Sequence, residues 1–134
     1  MTTSYACSNF SLELPDKWNV EERRTNWALF RIDVGRGAIN ISTVASASKE
    51  LDNIDSLFTI FSNIEVGKRV ADFAQIGIEL VFGESNKGPK YWQYWVFRRA
   101  NFALFASYNC LVEHLHSSEL EEVNQIVRSI RLRE

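Results

Sequence analysis

Phe10, Leu12 and Leu14 alternate with Ser11 and Glu13, the period of a strand with one buried face. Pro15-Asp16 closes the run with residues suited to a turn, and Trp18 and Val20 open a second extended piece. Further on, Ala28, Phe30, Ile32 and Val34 fall on one face of a strand, and Trp27, Leu29, Arg31 and Asp33 on the other. Gly35-Arg36-Gly37 breaks that run, and because glycine tolerates positive φ the segment reads as a hairpin loop. The return strand is predicted over Ala38 to Val44, with Ile39 and Ile41 facing inward.

The period then changes. Leu51, Ile54, Leu57, Phe58, Phe61 and Ile64 recur at helical spacing, predicting a helix from about Asp52 to Asn63 whose apolar stripe covers a sheet face. A short strand is read around Val70 to Phe73, and Ile76, Ile78, Leu80 and Phe82 alternate as another. Gly83 to Pro89 carries Ser, Asn, Lys, Gly and Pro, and reads as a flexible hairpin loop.

The densest signal follows. Two aromatic-rich runs, Tyr91 to Phe97 and Phe102 to Tyr108, flank a short polar break and predict a β-hairpin at the centre of an antiparallel sheet. Alternation puts Tyr91, Gln93, Trp95 and Phe97 on one face and Trp92, Tyr94, Val96 and Arg98 on the other. Ser118 and Glu121 form a capping-box pattern ahead of Leu120, Val123, Val127 and Ile130, the stripe of a second helix. The order predicts an α+β domain, a mainly antiparallel sheet flanked by two α-helices.

With 134 residues the chain fits one domain spanning residues 1–134, large enough for a core without staples. A net charge of −2 argues against nucleic acid, which calls for a basic stripe. Arg23-Arg24 and Arg98-Arg99 are local pairs within a mixed-sign surface. Cys7 and Cys110 are the two cysteines, too few for a disulfide framework and read as free thiols in a reducing compartment. No apolar stretch is long enough to span a membrane. The start, Met-Thr-Thr-Ser-Tyr-Ala-Cys, shows neither a basic nor an apolar run, so no signal peptide is expected.

Candidate chemistry is sparse. His114 and His116 lie beside Glu113, but their spacing matches no standard zinc pattern, so no metal and no cofactor are expected. Gly35-x-Gly37 lacks the third glycine and the context of a dinucleotide site. No nucleophile elbow occurs. Cys110 and His114 have helical spacing, yet Cys110 is read at a strand end, so no catalytic residue is expected. The surplus of aromatics points to contact, since Trp, Tyr and Arg dominate interface energetics. The candidate partner-binding residues are Trp92, Tyr94 and Arg98 on the hairpin, with Trp27 and Arg31 on the earlier strand.

Three segments resemble PsbP-like and DcrB-like domains. Phe10-Ser11-Leu12-Glu13-Leu14-Pro15-Asp16-Lys17-Trp18 is similar to their opening strand. Gly37-Ala38-Ile39-Asn40-Ile41-Ser42 is similar to the strand after a glycine turn, and Val127-Arg128-Ser129-Ile130-Arg131-Leu132 to their close. The resemblance implies an α-β-α sandwich and members that mostly act by binding another protein. The expectation is therefore a non-enzymatic, cytoplasmic protein-binding domain. Its sharpest version is an immunity protein or chaperone for a secreted bacterial toxin. A carrier of small apolar ligands is the alternative, and a homodimer through an uncovered sheet edge is compatible with the pattern.

Overall fold

The computed structural model describes residues 2–33, 37–45, 68–69, 79–99, 102–114 and 118–133. The chain starts with β1 (Thr2–Ala6), β2 (Phe10–Pro15), β3 (Trp18–Glu22), β4 (Asn26–Arg31) and β5 (Gly37–Ala45). β6 (Lys68–Arg69), β7 (Glu79–Lys87), β8 (Lys90–Arg99) and β9 (Phe102–Leu111) follow. A 3-10 turn at Val112–His114, α1 (Ser118–Ser129) and β10 (Arg131–Leu132) complete the order.

These strands build two sheets, a three-stranded one in the order β1-β2-β10 and a seven-stranded one in the order β3-β4-β5-β9-β8-β7-β6. Every ladder is antiparallel. This corrects the α-β-α sandwich with two flanking helices. Among the described residues the protein is mostly β, with α1 as its one α-helix. The reason lies in the first strands. β2 does not join the large sheet; it pairs with β1 and with β10 from the far end of the chain, forming a separate small sheet. The helix expected over 52–63 and the strand expected over 70–73 lie outside the described residues.

The chain changes sheet at Pro15-Asp16-Lys17-Trp18. Lys17 has a φ of 70°, a left-handed conformation rare for a residue with a side chain, and its carbonyl accepts the Ile32 N–H at 2.8 Å. The corner is thus tied across the sheet that β3 enters.

The aromatic runs form the expected hairpin, with Arg99 opposite Phe102 and Tyr91 opposite Cys110. The segment read as a loop over Gly83 to Pro89 is instead strand through Lys87, and Lys87 pairs with Lys90. Only Gly88-Pro89 turns, with Gly88 at φ 62°, the glycine-led opening that two-residue hairpin loops use. Polar residues masked this strand because long ladders tolerate them wherever one side faces water.

One core joins both sheets and the helix. Phe10, Leu12 and Leu14 from β2, Ile39 and Ile41 from β5, Trp95 and Phe97 from β8, and Leu104 and Tyr108 from β9 meet Val123, Ile126, Val127 and Ile130 from α1 and the residue after it. Each large side chain buried here contributes roughly 1.5–3 kcal/mol. The aromatic edge of Trp27 meets Phe10 at 4.9 Å and 83°, pinning the large sheet to the small one.

Candidate functional site

The five residues expected to bind a partner fall on opposite faces of the large sheet. Trp92, Tyr94 and Arg98 share one face, as alternation required. The rings of Trp92 and Tyr94 stack at 5.8 Å and 5°, and Tyr94 stacks on Phe105 at 6.2 Å and 17°. Neighbours two apart on β8 and a diagonal residue on β9 reach this spacing because long aromatic side chains bridge diagonal sheet positions. Tyr94 is 5% exposed, whereas Trp92, Phe105 and Arg98 are half-buried.

Trp27 and Arg31 stand on the core face. Trp27 is half-buried, and its Nε1–H donates to the Tyr5 hydroxyl at 3.0 Å. Arg31 grips Asp33 with two parallel bonds of 3.0 and 2.9 Å and meets Glu122 of α1 at 3.3 Å. The hydrogen bonds to Asp33 hold the Arg31 guanidinium above its ordinary value. Trp27 therefore links the two sheets, and Arg31 ties the large sheet to the helix.

Titratable groups gather on the same face, and the Tyr108–Glu119 pair among them is one the sequence did not single out. The Tyr108 hydroxyl donates to Glu119 Oε2 at 2.7 Å, and both residues are 0% exposed. Burial, then the Glu119 bond, drives the Tyr108 pKa up. Tyr91 donates to Glu84 and accepts from Gln93 Nε2 at 2.9 Å. Burial, followed by the Glu84 bond, pushes its hydroxyl up to about 12. Burial also raises the Cys110 thiol, which keeps it protonated and poorly nucleophilic. Cys7 and Cys110 are both free. His114 lies 3.7 Å from Glu113, and no group of three metal-ligating side chains occurs among the described residues. His116 lies outside them.

The open chemistry is at the N-terminal strand. β1 forms the outer edge of the small sheet, and four of its five residues are exposed, with Tyr5 half-buried. Two surface concavities meet there. One, of about 280 Å³, has Ser4, Ala6, Ser11, Glu13, Ser129 and Arg131 in its wall. The other, of about 260 Å³, runs between β1 and β3 past Thr3, Tyr5, Leu14, Trp18 and Val20. Ser4 and Tyr5 border both. Tyr5 donates to Glu22.

The register says which backbone groups face outward. Glu13 gives its N–H to Ser129 Oγ at 2.8 Å, and its carbonyl lies 3.4 Å from the same oxygen, so the backbone groups of Glu13 point away from β1. Ser4 lies directly opposite Glu13, and such antiparallel partners turn away together. Ser4, and by alternation Thr2 and Ala6, therefore present N–H and C=O groups at the edge. The signal that could have found β1 is Thr-Thr-Ser-Tyr, three of whose four residues favour strands.

No known protein family matches the chain, and no curated protein does either. Solved structures do. A protein of Bacteroides thetaiotaomicron superposes with a TM-score of 0.64 at 17% identity, over 93% of this chain and 45% of its own length. LpqN of Mycobacterium tuberculosis, described as involved in cell envelope biogenesis, superposes with a TM-score of 0.53 at 14% identity, over 100% of this chain and 91% of its own. The likeness is one of fold. The chain spans less than half of the Bacteroides protein. Neither neighbour carries the PsbP or DcrB name, so that resemblance rests on the three sequence segments.

Proposed function

We propose that this chain is a non-enzymatic domain that captures another protein. The observation that carries the reading is β1, an edge strand with outward backbone groups, set between two concavities that share Ser4 and Tyr5 in their walls. Unpaired sheet edges template pairing with another chain, and edge addition is a recurring mode of peptide capture. The titratable pair Tyr108 and Glu119 supports the same reading, because both side chains are closed to solvent and hold each other.

The test is site-specific photo-cross-linking in a lysate of the host cell, from Ser4 and, as a control, from the exposed helix position Gln125. A defined partner trapped from Ser4 and not from Gln125 supports the reading. Equal labelling from both positions, or none from Ser4, contradicts it.

A further inference from the structure

We infer that the β1 edge selects an extended segment in which apolar and basic residues alternate. This deepens the protein-binding reading and rests on it. A strand laid along Thr2, Ser4 and Ala6 continues the small sheet, and its side chains then alternate between the sheet's two faces.

One set of those side chains stands opposite Thr3 and Tyr5. It enters the concavity walled by Leu14, Trp18 and Val20. Leu14 and Trp18 are 5% and 8% exposed, so the core reaches the bottom of this groove, beneath a polar rim of Thr3, Ser4 and Asn19. Trp18 Nε1 is buried there without a hydrogen-bond partner, a donor left over in the groove wall. Apolar side chains of moderate size suit that floor.

The other set stands on the Ser4 side. There the Glu13 carboxylate accepts from the Ser4 hydroxyl at 3.0 Å and from Thr2 at 3.3 Å. Hydroxyls orient this carboxylate, and no cation pairs with it among the described residues. A long basic side chain opposite Ser4 reaches across the small serine to Glu13. Arg131 lines the same concavity, but its guanidinium donates to the Arg128 and Ile130 carbonyls and does not pair with Glu13, so the oriented Glu13 carboxylate favours lysine or arginine opposite Ser4 and disfavours acidic residues there. Pairing with a second copy of β1 would bring no cation to this position and leave the Glu13 carboxylate unanswered.

The experiment uses two labelled peptides of about eight residues, long enough to cover the edge, one alternating valine with lysine and the other valine with glutamate. Binding is read by fluorescence anisotropy and the footprint by amide exchange. The Val-Lys peptide is expected to bind and to slow exchange at Ser4, and the Val-Glu peptide not to bind. Ser4→Pro deletes one outward N–H at a position where an edge strand accepts proline, and is expected to weaken binding about tenfold. Glu13→Gln keeps the shape, accepting from one hydroxyl and donating to the other, and is expected to weaken binding several-fold and to flatten its salt dependence. Equal binding of both peptides, binding untouched by both variants, or a β1-mediated dimer that excludes the peptide overturns the inference. A partner cross-linked at Ser4 through a segment lacking this alternation overturns it while leaving the protein-binding reading intact.

Discussion

The side chain of Ser129 completes the hydrogen bonding of Glu13, a residue near the other end of the chain: the Glu13 N–H donates to Ser129 Oγ at 2.8 Å. The same hydroxyl donates to the Ile126 carbonyl at 2.6 Å. β10 pairs with β2 at Ser11 and Phe10, so Ser129 acts as the next rung where that short strand stops. The helix end and the opening strand are joined through one oxygen.

Ser129→Ala is therefore expected to cost about 1 kcal/mol and to speed exchange of the Glu13 amide. Urea denaturation and amide exchange check it. A variant with unchanged stability and an unchanged Glu13 amide would show that water replaces the rung at no cost.

Tyr108 and Glu119 offer a harsher test. Both are fully buried, and a buried carboxylate deprived of a donor keeps its desolvation penalty. Tyr108→Phe removes one oxygen from a site 2.7 Å from Glu119 and is expected to destabilise by roughly 2 kcal/mol. The double variant Tyr108→Phe, Glu119→Leu is expected to lose less than the sum of the two single changes. Additive losses would show that the two groups do not support each other.

The sequence places Gly37 in a hairpin loop, and the structure gives it another task. It pairs with Cys110 at the start of β5, and a Cβ there would sit 2.0 Å from the Asn109 carbonyl oxygen and 3.1 Å from Tyr108 Cε1. The nearest obstacle is backbone, so the strands must separate to admit it. Gly37→Ala is expected to destabilise by roughly 1–3 kcal/mol. A stability gain, as at a glycine replaced without strain, would contradict the close approach.

Alkaline pH probes the buried hydroxyls. Burial, then the carboxylates Glu22 and Glu84, lifts Tyr5 and Tyr91 up to about 12. Their raised values mean that the folded chain holds these protons more tightly than the unfolded one. Their contribution is complete below the unfolded value of about 10 and is lost as pH rises toward 12. Stability is thus expected to fall over that window, and less steeply in Tyr91→Phe. Identical slopes in the two proteins, or a stability that rises, would contradict the assignment.

Much of the β framework was legible, because alternation at Phe10, Leu12 and Leu14 and the paired aromatic runs report one buried face directly. α1 was legible from Val123, Val127 and Ile130. The division into two sheets was not, since it depends on β2 meeting Arg131 and Leu132 across the whole chain, and no local period records such a pairing. Trp27 and Arg31 read as partner-binding candidates for a related reason. Alternation gives two faces but not which one another layer covers, and Phe10 and Glu122 cover theirs. The sequence reading does not single out Glu119, although its place one turn before Val123 puts it on the buried stripe.

The most direct test of contact through β1 is residue-resolved amide exchange of the chain alone and with its cross-linked partner. In the free chain Thr2, Ser4 and Ala6 are expected to exchange fast while Thr3 and Tyr5, bonded to β2, exchange slowly; with partner bound, Ser4 slows to match them. A Ser4 amide already protected in the free chain, or one that the partner leaves unchanged, would contradict the claim that this edge is where the protein works.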